Sequence, residues 1–309
     1  MSAIAYQGEP GSNSHIACTE VFPGWEALPC ASFEDAFAEV VTGRAQRAMI
    51  PIENSLAGRV ADIHLLLPET HLRIVGEHFL RIRFDLLGVP GSRLEDVREA
   101  HSHVHALGQC RGFLREHRLS PVIAGDTAGS ARAVARWADP ARASLAPPPC
   151  AQLYGLQVLA SGVEDDPTNT TRFVVLADAP EPPAREDLPG QVLTTLVFQV
   201  RNVPSALYKA LGGFATNGTN MTRLESYMVG AGFAATQFLV DVEGHPSDPP
   251  LARALAELEF FTTDVRVLGV YPAHPFRSTV RGAAGVWPGR WPPGRRWCSC
   301  GSGTGSWSR

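Results

Sequence analysis

The sequence has no long apolar run. Nothing in its 309 residues approaches the roughly 18 apolar residues that a membrane-spanning helix needs. Its first residues, Met1-Ser2-Ala3-Ile4-Ala5-Tyr6-Gln7, lack a basic segment followed by an apolar core, so no export signal is expected. Neither sign of charge dominates, with 27 Lys and Arg against 31 Asp and Glu. A net charge of −4 argues against a general surface for nucleic acid or anionic membrane. Cysteines stand only at positions 18, 30, 110, 150, 298 and 300, with no CxxC pair and no zinc spacing. Free thiols and a cytoplasmic location are the expectation. No GxGxxG and no GxxxxGK[ST] follows the first strand, so nucleotide binding has little support.

What is present is an ordinary globular composition, 44% hydrophobic and 19% charged, with length enough for about two domains. Short β-rich runs alternate with helical ones to about residue 178, which predicts an α/β fold with mostly parallel strands. Helices are expected after the caps Ser12-Asn13-Ser14, at Ser32 to Gly43, at His105 to His117 and at Thr127 to Trp137. In Phe79 to Leu86 polar and apolar residues alternate, as in a half-exposed strand carrying the chain into a second lobe.

Polar residues gather where strands end. Glu53-Asn54-Ser55 closes one strand, and Asp166-Pro167-Thr168-Asn169-Thr170-Thr171-Arg172 runs into the apolar strand Phe173-Val174-Val175-Leu176. Open α/β sheets place ligand sites at such ends. Turn chemistry alone accounts for Thr168 and Thr170. Three imidazoles alternate at His101, His103 and His105, but no Cys or carboxylate stands nearby at ligand spacing, and no metal or other cofactor is expected.

From Ala179 to Gly190 four prolines and mixed charge mark a linker, with its centre at 181–190. Beyond it, 191–276 reads as strand, helix, two strands, helix, strand, the ferredoxin-like βαββαβ order. Gly230-Ala231-Gly232 is its hairpin signal. The tail from Arg277 to Arg309 shows no helical or strand period and reads as disordered.

Several strings occur in an order that resembles one family. They are Tyr6-Gln7-Gly8-Glu9-Pro10-Gly11-Ser12-Asn13-Ser14, Pro51-Ile52-Glu53-Asn54-Ser55-Leu56-Ala57-Gly58, Gly108-Gln109-Cys110, Asp126-Thr127-Ala128, Tyr154-Gly155-Leu156 and Asn169-x-Thr171-Arg172-Phe173. Together they resemble prephenate dehydratase with a C-terminal ACT regulatory domain, from residue 3 to about 276. The resemblance implies a catalytic domain over 1–180, built as two lobes like a periplasmic solute-binding protein. Lobe one would hold about 1–80 and 172–178, and lobe two about 81–171. It implies a cofactor-free conversion of prephenate to phenylpyruvate in phenylalanine biosynthesis.

Thr171, Asn54 and Gln109 are then the catalytic candidates. Ser12, Asn13, Ser14, Ser55, Thr127 and Arg172 are the substrate-binding ones. Alternation along a strand turns Arg172 to the opposite face from Thr171, so a bracing salt bridge competes with a substrate role. Glu53 would repel a dianion in the cleft and suits a bracing role. Phenylalanine, as effector, is expected near Asn202, Val203, Ser205, Ala206, Leu207, Leu224, Glu225 and Ser226, in a homo-oligomer paired through ACT domains.

Three departures stand out: Ser205 replaces a glycine, Tyr227 an arginine, and Val104-His105 the usual Pro-Gln. The last lowers any special role for His105. Arogenate in place of prephenate, or a non-catalytic receptor for a small anion, stays open on these residues alone.

Overall fold

A computed structural model describes residues 2–179, 181–201, 203–228 and 235–283. Met1–His274 form one compact unit and Pro275–Arg309 a second.

The first unit opens with β1 (Ala3–Gln7), α1 (Asn13–Val21), β2 (Glu26–Cys30), α2 (Phe33–Val41) and β3 (Arg47–Asn54). The expected cap of α2 forms: Ser32 Oγ accepts from Asp35 N, and Asp35 accepts from Ser32 N in return. The two-residue β4 (Gly58–Arg59), α3 (Ala61–Glu69) and β5 (Arg73–Arg81) complete the first half.

The chain then crosses to a second sheet. Its elements are β6 (Asp85–Gly88), β7 (Glu99–Ser102), α4 (Val104–Gln109), α5 (Arg111–Glu116), β8 (Ser120–Ile123), α6 (Thr127–Trp137), β9 (Arg142–Ala146), α7 (Pro149–Tyr154) and β10 (Gln157–Ala160). The order in that sheet is β10-β6-β9-β7-β8. β11 (Thr170–Ala177) returns to the first sheet between β5 and β3.

The C-terminal elements are β12 (Val192–Val200), α8 (Ala206–Thr216), β13 (Met221–Met228), β14 (Ala235–Glu243), α9 (Pro249–Phe261) and β15 (Thr262–Pro272), the expected βαββαβ order. The hairpin signal Gly230-Ala231-Gly232 lies outside the described residues. Its two strands are antiparallel neighbours.

The strands are not mostly parallel. β1 pairs in parallel with β2 and β3, but β11 runs antiparallel to both its neighbours, and every pairing among β12 to β15 is antiparallel. A strand returning from another sheet enters without a helical crossover, so nothing forces it parallel. The large sheet is also continuous with the C-terminal one. β15 meets β5 in parallel at Gly269 and Ile74. A Cβ on Gly269 would overlap the Ile74 carbonyl, so the joint requires a glycine.

β11 shows the period of two that organises the interior. Phe173 and Val175 join a core shared with Tyr6, Met49, Leu107 and Leu145. Val174 and Leu176 join another on the opposite face, with Ile50, Ile52, Leu193, Leu239 and Tyr271. That second core ties the C-terminal elements to the sheet carrying β11. A polar seam runs beside it. Arg223 of β13 donates to His64 Nε2 at 2.9 Å, and His64 Nδ1 faces the Val60 carbonyl at 3.0 Å. Arg223 Nε also stands 3.2 Å from Glu53, which therefore braces β13.

Within the second unit, Phe276–Ala283 form a helix, α10, against the expectation of a patternless tail. Ser278 N and Oγ both bond the Pro275 carbonyl at its start, which supplies a local cap the composition hid. The rest of the expected tail, 284–309, lies outside the described residues.

Candidate active site

A cleft of about 600 Å³ opens between the two sheets. Thr171, Asn54, Gln109, Ser12, Asn13, Ser14 and Thr127 all line it, so most of the sequence candidates converge. Thr171 and Phe173 share one face of β11 and both reach the cleft, as alternation requires.

The hydrogen bonds around Thr171 have one consistent direction. Backbone N–H groups of Leu56 and Ala57 donate to Asn54 Oδ1 at 3.0 and 2.8 Å. That fixes the Asn54 amide, because a backbone N–H cannot accept. Asn54 Nδ2 then donates to Thr171 Oγ1 at 2.9 Å and to Asn169 Oδ1 at 2.7 Å. Asn169 Nδ2 donates in turn to Gln109 Oε1 at 2.8 Å. Thr171 accepts from Asn54, so its own hydroxyl proton is available to the cleft. Gln109 spends its carbonyl on Asn169, so its N–H groups are available too. Asn169 joins the two lobes and is wholly buried. The sequence marked it only as part of a motif, and no local signal showed that it bridges two other candidates.

Gln109 sits where the expected single helix His105 to His117 breaks. α4 ends there and α5 starts after Cys110. Asp165 staples the break, donating its N–H to the Gln109 carbonyl at 2.7 Å and accepting from Gly112 N at 2.9 Å. The loop that leads into β11 thus also holds Gln109. The α6 terminus forms as expected, with Asp126 Oδ1 accepting from Gly129 N at 2.6 Å. At α1, Ser12 Oγ accepts from His15 N at 3.3 Å. On one side of the cleft the lobes touch through Glu9–Arg132 at 2.8 Å and through Tyr154, whose hydroxyl donates to the Pro10 carbonyl at 2.6 Å. Gly11 packs so closely on Cys150 there that a Cβ would collide with the sulfur.

Two expected substrate contacts are corrected. Arg172 points away from the cleft. Its guanidinium bonds Glu77 at 2.8 Å, Asp241 at 2.5 Å and the Tyr271 hydroxyl at 2.9 Å, all buried. Burial works against a charged guanidinium there, but Asp241, Tyr271 and Glu77 outweigh it and hold Arg172 charged. Burial likewise works against charge on Asp241. Arg172, Arg223 and hydrogen bonds from Thr195 and Arg172 outweigh it and hold the carboxyl below its usual range. Ser55 also lies outside the cleft lining, because its Oγ accepts from Thr170 N at 3.0 Å and straps β3 to β11.

The histidine triple does not converge. His101 turns to Glu99 at 3.1 Å, while His103 and His105 line the cleft with ring centroids 5.0 Å apart. His105 is therefore nearer the site than its departure from the family pattern suggested. Burial, then His105, lowers the pKa of His103, whose Nδ1 faces the His105 N–H at 3.4 Å. Burial pushes the Cys110 and Cys150 thiols up to about 12, so neither is a ready nucleophile. Among the described residues no group of three His, Cys, Asp or Glu side chains has metal-binding geometry.

The sequence matches the prephenate dehydratase family profile over residues 4–181. The chain belongs to the prephenate dehydratase family. It is an α/β enzyme of the lyase class. A bifunctional N-acyl-homoserine lactone acylase/prephenate dehydratase of Komagataeibacter europaeus is 54% identical over 275 residues, 89% of this chain and 97% of that one. Arogenate dehydratase/prephenate dehydratase 2 of Arabidopsis thaliana, chloroplastic, is 37% identical over 278 residues, 87% and 72% of the two chains. A prephenate dehydratase of Arthrobacter aurescens, solved in complex with L-Phe, superposes with a TM-score of 0.79 at 30% identity, covering 91% and 97%.

The expected effector residues fall on two elements. Val203 is exposed ahead of α8, and Ser205 adopts a left-handed φ of 65° before Ala206 and Leu207 begin the helix. Leu224, Glu225 and Ser226 lie on β13. Asn202 lies outside the described residues. Tyr227, where the family pattern has arginine, is buried against His64 with ring centroids 5.1 Å apart.

Proposed function

We propose that the cleft converts prephenate to phenylpyruvate, carbon dioxide and water. The observation that carries this reading is the direction of the Asn54–Thr171 hydrogen bond, which leaves the Thr171 proton for the ligand. As the ring C–O bond breaks, the hydroxyl departs with the bonding pair and takes up the proton of Thr171, which solvent water replaces, and it leaves as water. The ring C–CO₂ bond breaks as the carboxylate departs, and its electron pair completes the aromatic ring. The hydrogen bond that holds Thr171 comes from a neutral amide and a threonine hydroxyl is itself a weak acid, so its part is donor and relay. Such help is worth roughly 10²- to 10⁴-fold. Gln109 N–H groups and the α1 start at Asn13 and Ser14, with Thr127 opposite, suit carboxylates and developing charge.

The test is appearance of phenylpyruvate from prephenate, followed by absorbance with the purified protein. No product from prephenate, with product from arogenate, would move the assignment to the amino-acid substrate, which the Arabidopsis relative's name also allows. A second reading comes from the 54% identity to the Komagataeibacter europaeus relative, named also as an N-acyl-homoserine lactone acylase. Release of homoserine lactone from an N-acyl-homoserine lactone would support it.

The C-terminal βαββαβ part is read as an ACT domain that binds phenylalanine near 203–207 and 224–226 and lowers activity. The L-Phe complex of the Arthrobacter aurescens relative supports this. Pairing of two chains is read along β13, an edge strand bearing the exposed Leu224 and Met228. A cytoplasmic location goes with this reading; among the described residues no helix is long and apolar enough to cross a membrane. Activity measured against phenylalanine concentration decides regulation, and a flat response rejects it.

A further inference from the structure

If prephenate is the ligand, the cleft must hold two carboxylates, and the role inferred for Arg59 rests on that reading. Arg172, the cation expected there, is sealed behind the sheet by its own carboxylates. Among the described lining residues the sole arginine or lysine is Arg59. It ends β4, whose pairing with β3 sets Gly58 beside Asn54 and Arg59 beside Glu53. That register brings the guanidinium to the cleft rim one strand from Asn54. Glu53 does not claim it, being drawn to Arg223 at 3.2 Å.

Arg59 is held from its other side. Its Nη1 donates to the Ser226 carbonyl at 3.0 Å, and its guanidinium stands 5.5 Å from the Tyr227 ring centroid. Both partners belong to β13. A guanidinium carries five N–H donors in a planar fork, so one bond to a carbonyl leaves several for a carboxylate. Arg59 is exposed, which keeps those donors accessible.

We propose that Arg59 binds one carboxylate of the substrate and that β13 sets where it stands. A displacement of β13 carries the guanidinium with it. The strand expected to sense phenylalanine therefore touches the cleft through one side chain. Tyr227, which departs from the family pattern, supplies the ring beneath that cation.

The test is prephenate affinity by calorimetry on full-length Thr171→Ala protein, with and without a second change, alongside steady-state kinetics on otherwise wild-type protein. Arg59→Gln keeps a donor for Ser226 and removes the charge. It is expected to weaken binding roughly ten- to a hundredfold, the worth of a charge-assisted contact, with the larger share of the kinetic loss in KM. Arg59→Lys should recover part of the loss. Tyr227→Leu should weaken binding by about threefold to tenfold through loss of the cation–π support. Asp62→Asn removes the opposite charge from the same cleft lining and should tighten binding or leave it. Arg59→Gln within twofold of its parent, or Asp62→Asn weakening as much as Arg59→Gln, overturns the proposal. So does the absence of any prephenate binding by the parent. Normal Arg59-dependent binding without turnover by the wild type would instead sink the reaction and leave Arg59 in place.

Discussion

Two polar networks start from adjacent residues of β11 and run to opposite faces of the large sheet. From Thr171 the network is neutral, made of Asn54, Asn169 and Gln109, and it opens on the cleft. From Arg172 it is ionic and buried, made of Glu77, Asp241, Tyr271 and Thr195. The difference comes from what each can tolerate. Neutral amides hold a hydroxyl in one orientation without imposing a field that would repel an anionic ligand. Buried charges need full compensation, and the closed side of the strand supplies two carboxylates for one guanidinium. One strand therefore presents a reactive group on one face and an anchor on the other.

The comparison breaks most sharply at Thr171. Thr171→Ala should lower kcat by roughly 10²- to 10⁴-fold while the unfolding midpoint stays near the wild-type value. Turnover and thermal melting, measured on the same preparation, check both halves. Arg172→Met should do the reverse. It removes the cation that Glu77 and Asp241 share and should cost about 3 to 5 kcal/mol of stability, read as a shift in the urea midpoint. Comparable losses of rate in both variants, with equal melting, would erase the distinction.

Asn169→Ala lies between these. It leaves Thr171 bonded to Asn54 but frees Gln109 to rotate, and should reduce kcat/KM about ten- to a hundredfold, consistent with one buried partner lost. A wild-type rate would show that the Asn54 bond alone suffices.

The smallest effect is a pH dependence at the seam. Burial, then Arg223 and Arg59, lowers the pKa of His64 to about 4. Its geometry agrees, since Nδ1–H donates to Val60 and Nε2 accepts from Arg223, so a second proton has no acceptor. The folded state thus binds its proton more weakly than the unfolded chain, whose histidine titrates near 6.5. Its contribution is complete above about 6.5 and is lost as pH falls towards 4, roughly 2 kcal/mol of it by pH 5. In His64→Gln, urea midpoints between pH 7 and 5 should lose that slope. An unchanged slope would assign it to other groups.

Much of this was legible locally. Period-two patterning marked β11 and the opposed faces of Thr171 and Arg172. Capping residues marked α2 and α6, and the βαββαβ order stood in the C-terminal sequence. The partners were not legible. Asp241 lies 69 residues from Arg172, and Asn169 lies 60 from Gln109. No local pattern encodes such pairings. The break after Gln109 was hidden for a similar reason: Asp165, from a distant loop, imposes it on a helical sequence. Arg59 follows Gly58 with no local pattern to mark it, and only the pairing of β3 with β4 brings it to the cleft.

Gly269 against Ile74, and Arg172 against Asp241, have a practical meaning. A shortened protein ending in the linker would lose β15 from the edge of β5 and leave an arginine facing one carboxylate beside an opened apolar layer. The stretch around 181–190 looks like a place to cut. The strand that carries Thr171 is finished from the far side of that stretch. Residues 1–180 expressed alone are a different folding problem from the same residues in the whole chain.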